Sequence, residues 1–100
     1  DKAEQMSKKT VDAEPSNATF LDTYAWILFE LGRYTQAKVF IDTALQHGGL
    51  ESGVVVEHAG DIYWKVGEKD KALELWVEAD KLGAGAKIKE KIRKKKYIRE

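Results

Sequence analysis

The 100-residue chain contains no cysteine, a single proline and only two histidines. Without cysteine there is no disulfide framework, no thiolate nucleophile and no sulfur ligand for a metal. No apolar stretch approaches the roughly 18 residues that a membrane-crossing helix requires. No glycine-rich phosphate loop follows a strand, and no serine, histidine and aspartate stand in a context that suggests nucleophilic catalysis. The expectation is therefore a protein that is not an enzyme and uses no cofactor or metal. Net charge is also missing, since 17 basic and 17 acidic side chains cancel. That balance hides an asymmetry. Residues 87–100 hold eight lysines and arginines (87, 89, 91, 93, 94, 95, 96 and 99) against Glu90 and Glu100, so the segment is +6 and the remainder −6.

What the chain does have is a copy of itself at an offset of 35. Leu21, Tyr24, Ala25, Leu28, Gly32, Ala37, Ile41 and Ala44 become Val56, Ala59, Gly60, Tyr63, Gly67, Ala72, Trp76 and Ala79. Large, small and glycine positions keep their character throughout. A period of this size points to stacked helical units, each burying its apolar edge against the next.

Helical spacing and stop signals divide the chain further. Residues 1–13 read as a short helix closed by Glu14-Pro15-Ser16-Asn17, where proline disfavours helix in the residue before it and Ser-Asn supplies turn and cap chemistry. A helix over 18–31 carries Leu21, Tyr24, Ala25 and Leu28 inward and stops at Gly32. A second begins at Arg33 or Tyr34, with Ala37, Phe40, Ile41, Ala44 and Leu45 on one face, and ends at His47-Gly48-Gly49. The next pair covers 53–66 and 70–82 around Gly67. After Gly83-Ala84-Gly85, a basic helix from Ala86 places Ile88 and Ile92 on one face and Tyr97 on the other.

These residues resemble the tetratricopeptide repeat, a 34-residue helix–turn–helix unit. Leu21, Tyr24-Ala25, Leu28, Gly32, Tyr34, Ala37, Ile41 and Ala44 follow its pattern of large, large-small, aromatic, Gly, Ala, aromatic and Ala positions. Val56, Ala59-Gly60, Tyr63, Gly67, Ala72, Trp76 and Ala79 repeat it. Ala3, Ser7, Thr10 and Pro15 lie 34 residues before Ala37, Ile41, Ala44 and Gly49 and fit half a unit. Departures are confined to turns: Gly49 and Ala84 stand for the closing proline, and Lys69 for the aromatic seen at Tyr34. The resemblance implies an all-α superhelix: half a unit over 1–17, whole units over 18–52 and 53–85, and a capping helix over 86–100. It implies the C-terminal part of a longer array, with an N-terminal edge open to the following repeat or to a second copy. It gives no compartment.

Such repeats bind peptides in a concave groove lined by the first helix of each pair. Here that face carries Asp22, Trp26 and Phe29, then Glu57, Asp61 and Trp64. The resemblance thus implies a scaffold for protein–protein interaction, taking an apolar segment with basic flanks and no small-molecule substrate. Asp22 and Glu57 stand where carboxylate-gripping members of the family have lysine, so recognition of acidic C-termini is excluded. The competing reading keeps the same residues structural, with Asp22 and Glu57 favouring helix dipoles and the aromatics covered by a neighbouring helix. Glu57, His58 and Asp61 share helix spacing suited to a metal, but no second cluster completes the set.

The lysine run 94–96 raises a second alternative, electrostatic binding of nucleic acid or an anionic membrane. No aromatic stacking series accompanies it. The reading preferred here docks Ile88 and Ile92 on the last repeat and leaves the lysines in water. A third alternative is a purely structural end to a larger protein.

Overall fold

In a computed structural model, residues 2–85 and 87–95 are described, and they form six α-helices with no strand among them. They are α1 (Lys2–Ala13), α2 (Ala18–Glu30), α3 (Tyr34–Gln46), α4 (Gly53–Lys65), α5 (Lys69–Lys81) and α6 (Ile88–Lys94), with a 3-10 turn over Gly49–Glu51. Expectations that involve Ala86, Lys96, Tyr97, Arg99 and Glu100 lie outside the described residues.

The offset of 35 read in the sequence recurs in the backbone. Both bounds of α4 lie 35 residues beyond those of α2, and both bounds of α5 lie 35 beyond those of α3. The cause is local chemistry placed at the same offset. Asn17 and Ser52 each hold an extended backbone before a first helix, and each side chain accepts a hydrogen bond from the amide three residues on. Such caps satisfy amides that the helix itself cannot. At the other end, Gly32 and Gly67 adopt φ of +79° and +91°. There Arg33 and Glu68 donate back to the carbonyls of Leu28 and Tyr63, closing the helix and turning the chain.

Each first helix folds back against its second, α2 on α3 and α4 on α5, and α3 packs on α4 to join the pairs. The core runs through both. Leu21, Tyr24, Ala25, Leu28, Ala37, Ile41 and Ala44 are buried, as are Val56, Ala59, Gly60, Tyr63, Ala72, Trp76 and Ala79. The small residues allow the close approach and the large ones fill what it leaves.

One exchange sets the second pair apart. Ile41 in the first pair becomes Trp76, a much larger fully buried side chain. Its space comes from position 60, where Ala25 has become glycine. A Cβ added to Gly60 would lie 2.4 Å from the Trp76 ring.

At the N-terminal end the sequence correspondence does not carry burial with it. Ala3, Ser7 and Thr10 were matched to Ala37, Ile41 and Ala44, which are all fully buried. Ser7 is buried, but Ala3 is exposed and Thr10 only half-buried. The reason is the missing cover: α1 packs on α2, and no described helix stands where α2 stands for α3. Val11 rather than Thr10 supplies the apolar anchor there. Arg33 pairs with Glu4 at 2.8 Å and fastens the helix to the following turn.

The Gly60–Trp76 contact is testable by exchange. Gly60→Ala alone should destabilise the chain by about 1–3 kcal/mol through overpacking. Adding Trp76→Ile, which rebuilds the pairing of Ala25 with Ile41, should recover most of the loss in denaturant titrations. No recovery in the double variant would show that the glycine serves something other than the indole.

A candidate helix-binding face

The expected groove residues lie on two first helices at i, i+4 and i+7, so Asp22, Trp26 and Phe29 share one face of α2, and Glu57, Asp61 and Trp64 one face of α4. Their positions are as expected. Their charges are not presented to solvent. Asp22, Glu57 and Asp61 are all buried, and Phe29 is only 4% exposed.

Each acidic residue is answered by a base from the next first helix or its counterpart. Asp22 on α2 meets Nδ1 of His58 on α4 at 2.8 Å. Glu57 and Asp61 on α4 meet Lys91 on α6, whose Nζ donates to Glu57 Oε2 at 2.7 Å and to the Asp61 carboxylate oxygens at 3.0 and 3.2 Å. The Trp76 indole Nε1–H also donates to Asp61, at 3.0 Å. Lys91 is 1% exposed. This corrects the expectation that the terminal lysines stay in water. A carboxylate pair taken out of solvent on adjacent turns of α4 requires a cation, and Lys91 on the inner face of α6 supplies it.

Within the expected capping segment 86–100, α6 covers Ile88–Lys94. Ile88 is buried and Ile92 half-buried against the core, while Lys87, Lys89, Arg93, Lys94 and Lys95 are exposed. Lys89 pairs with Asp80 on α5 and Lys87 with Glu90. Ile88, Lys91 and Ile92 therefore form one anchor face at i, i+3 and i+4.

Electrostatics follow from this burial. Desolvation pushes the Asp61 carboxyl up to about 6, against the pull of Lys91 and the indole hydrogen bond. For Lys91, burial acts to lower the pKa, but the attraction of Asp61 and Glu57 outweighs it and the ammonium ends above its usual value. Lys91 thus stays charged throughout the range in which Asp61 titrates.

The aromatic half of the face is more open. Trp26 is half-buried and stacks on both Phe29 (centroids 4.6 Å apart) and His58 (4.0 Å). Trp64, also half-buried, stacks on Trp76 at 5.4 Å and carries Lys69 over its ring at 4.8 Å. No group of three or more His, Asp or Glu side chains among the described residues is arranged to hold a metal. The suspected Glu57, His58 and Asp61 set is divided, with His58 turned to Asp22 and the two carboxylates to Lys91.

Sequence reasoning missed Lys91, though a signal existed. Position 91 lies 35 beyond Val56 and 70 beyond Leu21, both fully buried, so the period itself marks it as an inward position. Likewise Asp61 stands 35 beyond Trp26. Two positions that are apolar in one unit carry an ionic pair in the next. The partnership of His58 with Asp22 carried no comparable signal, because its spacing of 36 depends on how α2 and α4 lie together. No family model matches the chain, and no curated protein sequence matches it.

Two measurements test this centre. Lys91→Met should cost about 3–5 kcal/mol, because two desolvated carboxylates lose their cation, whereas combining it with Glu57→Gln and Asp61→Asn should restore most of that stability. An equal loss in the triple variant would assign the effect to packing of the lysine stem. The second concerns pH. The folded state holds the Asp61 proton more tightly than the unfolded chain does, so its contribution is largest below about pH 4 and is lost as pH rises through about 6. Relative to Asp61→Asn, which keeps an acceptor for Trp76, the native chain should lose up to about 3 kcal/mol between these limits. A relative gain with rising pH would reverse the sign and refute the desolvated carboxylate.

Proposed function

We propose that the chain is a helical-repeat scaffold of the tetratricopeptide type, an α-α superhelix that binds a partner protein along the face of its first helices and performs no chemistry. The observation that carries the reading is α6. A short basic amphipathic helix lies on α4 and α5, with Ile88 as apolar anchor and Lys91 as cationic anchor. That is the chemistry expected of a partner segment for this face, and it supports the view that the face receives helices.

The repeat assignment is supported by the recurrence of helix bounds, side-chain caps and left-handed glycines at one offset. Because the acidic groups are engaged within the chain, a partner gains contact area chiefly from Trp26 and Trp64. Both are half-buried with part of the ring in solvent, and tryptophan is among the residues enriched at interface hot spots. Exposed Glu30 and its counterpart Lys65 border them.

Photo-crosslinking in the native source tests this reading by position. A benzophenone amino acid at Glu30 or Lys65 should capture a discrete set of proteins, and the same probe at Lys71 or Glu78 on α5 should not. Crosslinks concentrated at the α5 positions would move the interaction to the opposite surface.

A further inference from the structure

The seat beneath α6 combines a defined demand with a weakly committed occupant. Its demand is for a cation, because Glu57 is 5% and Asp61 2% exposed while α6 is in place, and both point at Lys91. The geometry is fixed from behind by Trp76, whose indole holds Asp61. The occupant has seven residues, with its anchors at Ile88, Lys91 and Ile92, exposed Lys89, Arg93 and Lys94 beside them, and exposed Lys87 and Lys95 at its ends. It follows a turn in which Gly83 takes φ of +82°. By the offset of 35, α6 stands where α2 and α4 stand in their own pairs, yet each of those has thirteen residues.

We propose that this seat is a lysine-reading helix site and that α6 is its internal competitor, displaced by a partner protein's helix bearing the same apolar-x-x-Lys-apolar face. The proposal rests on the reading that the first-helix face takes partner helices, and it adds which chemistry is read and what guards the site. A vacated seat must either hydrate two adjacent carboxylates or accept another ammonium, so release and replacement are coupled. The tether gives α6 an effective concentration in the millimolar range. A longer helix carrying the same anchors overcomes that advantage by burying more surface. A second copy's α6 brings only the contacts already present, with no tether in its favour, and so competes only when its concentration exceeds the effective concentration of the tethered helix.

The probe is a labelled peptide of residues 84–95, titrated against the full chain. Ile88→Ser with Ile92→Ser removes the apolar anchors and frees the seat. The peptide should bind this variant about tenfold or more tightly than the native chain. Replacing the peptide's lysine at position 91 with glutamine should weaken binding about thirtyfold or more, the scale of removing one member of a buried charge pair. Equal affinity for native and released chains, or indifference to the glutamine peptide, overturns the proposal.

A second arm avoids dependence on the folding of the serine variant. The chain has no cysteine, so Asp80→Cys with Lys89→Cys can be bridged by a short bismaleimide that pins α6 to α5 at the site of their ion pair. The unbridged protein should take up peptide at high concentration, and the bridged protein should refuse it. Uptake by the bridged protein, or formation of α6-exchanged dimers without peptide, refutes the assignment. Either result would leave crosslinking at Glu30 and Lys65 as a separate measure of the parent reading.

Discussion

An ammonium group shut away from water between two carboxylates is the constraint on which the C-terminal half of this molecule depends. Lys91 cannot be buried without Glu57 and Asp61, and neither carboxylate can be buried without Lys91. The dependence runs further back. Asp61 is held by the Trp76 indole, Trp76 fits only because position 60 is glycine, and Gly60 lies in the middle of α4 where glycine is otherwise unfavourable. One weak helix position is thus retained for the sake of an indole, the indole for a carboxylate, and the carboxylate for a lysine one helix away.

Comparison of the two pairs shows what the ionic arrangement adds. The first pair uses Ala25, Trp26 and Ile41, with Val56 following, and the second uses Gly60, Asp61 and Trp76, with Lys91 following. Apolar contacts between helices are non-directional and tolerate a shift of register at modest cost. Directional hydrogen bonds from one ammonium to two carboxylates do not. A thirteen-residue helix with a whole second helix behind it has enough surface to define its own register. The seven residues of α6 do not, and the buried ion pair supplies the missing definition. Its net stabilisation is small because desolvation offsets attraction, so its main effect is on uniqueness of docking.

Most of the fold was legible because it is written locally. Asn17 and Ser52 cap, Gly32 and Gly67 turn, and the apolar spacing between them leaves one helical face to bury. Those signals placed α1 to α5 to within about two residues, as boundary assignments generally allow, whereas α6 is shorter than the basic segment that carries it. The candidate face was legible by position and misread by state. Helical spacing says that Asp22, Glu57 and Asp61 share a side, but it cannot say what covers that side. Two readings of Phe29 and the three acids, open to a partner or covered by a neighbouring helix, fit the same spacing, and only the placement of α4 and α6 separates them. Lys91 was misread for a different reason. Composition speaks for the tail as a whole, and six net positive charges argue for water. The repeat period speaks for one residue at a time, and at position 91 it argues for the interior.

That distinction bears on how the surface can be used. A charge neutralised inside the protein contributes little to attracting a partner at a distance, so the acidic character of the face in the sequence overstates its reach in the folded state. What remains accessible is aromatic: Trp26 against His58, and Trp64 under Lys69. A partner that only touches these rings gains area and little selectivity. Selectivity requires a partner that also reaches Glu57 and Asp61, and α6 stands over them. On the proposed reading, recognition of charge on this face is conditional on the position of one short helix. The buried lysine that gives α6 a defined place is the same group that withholds the carboxylates from everything else.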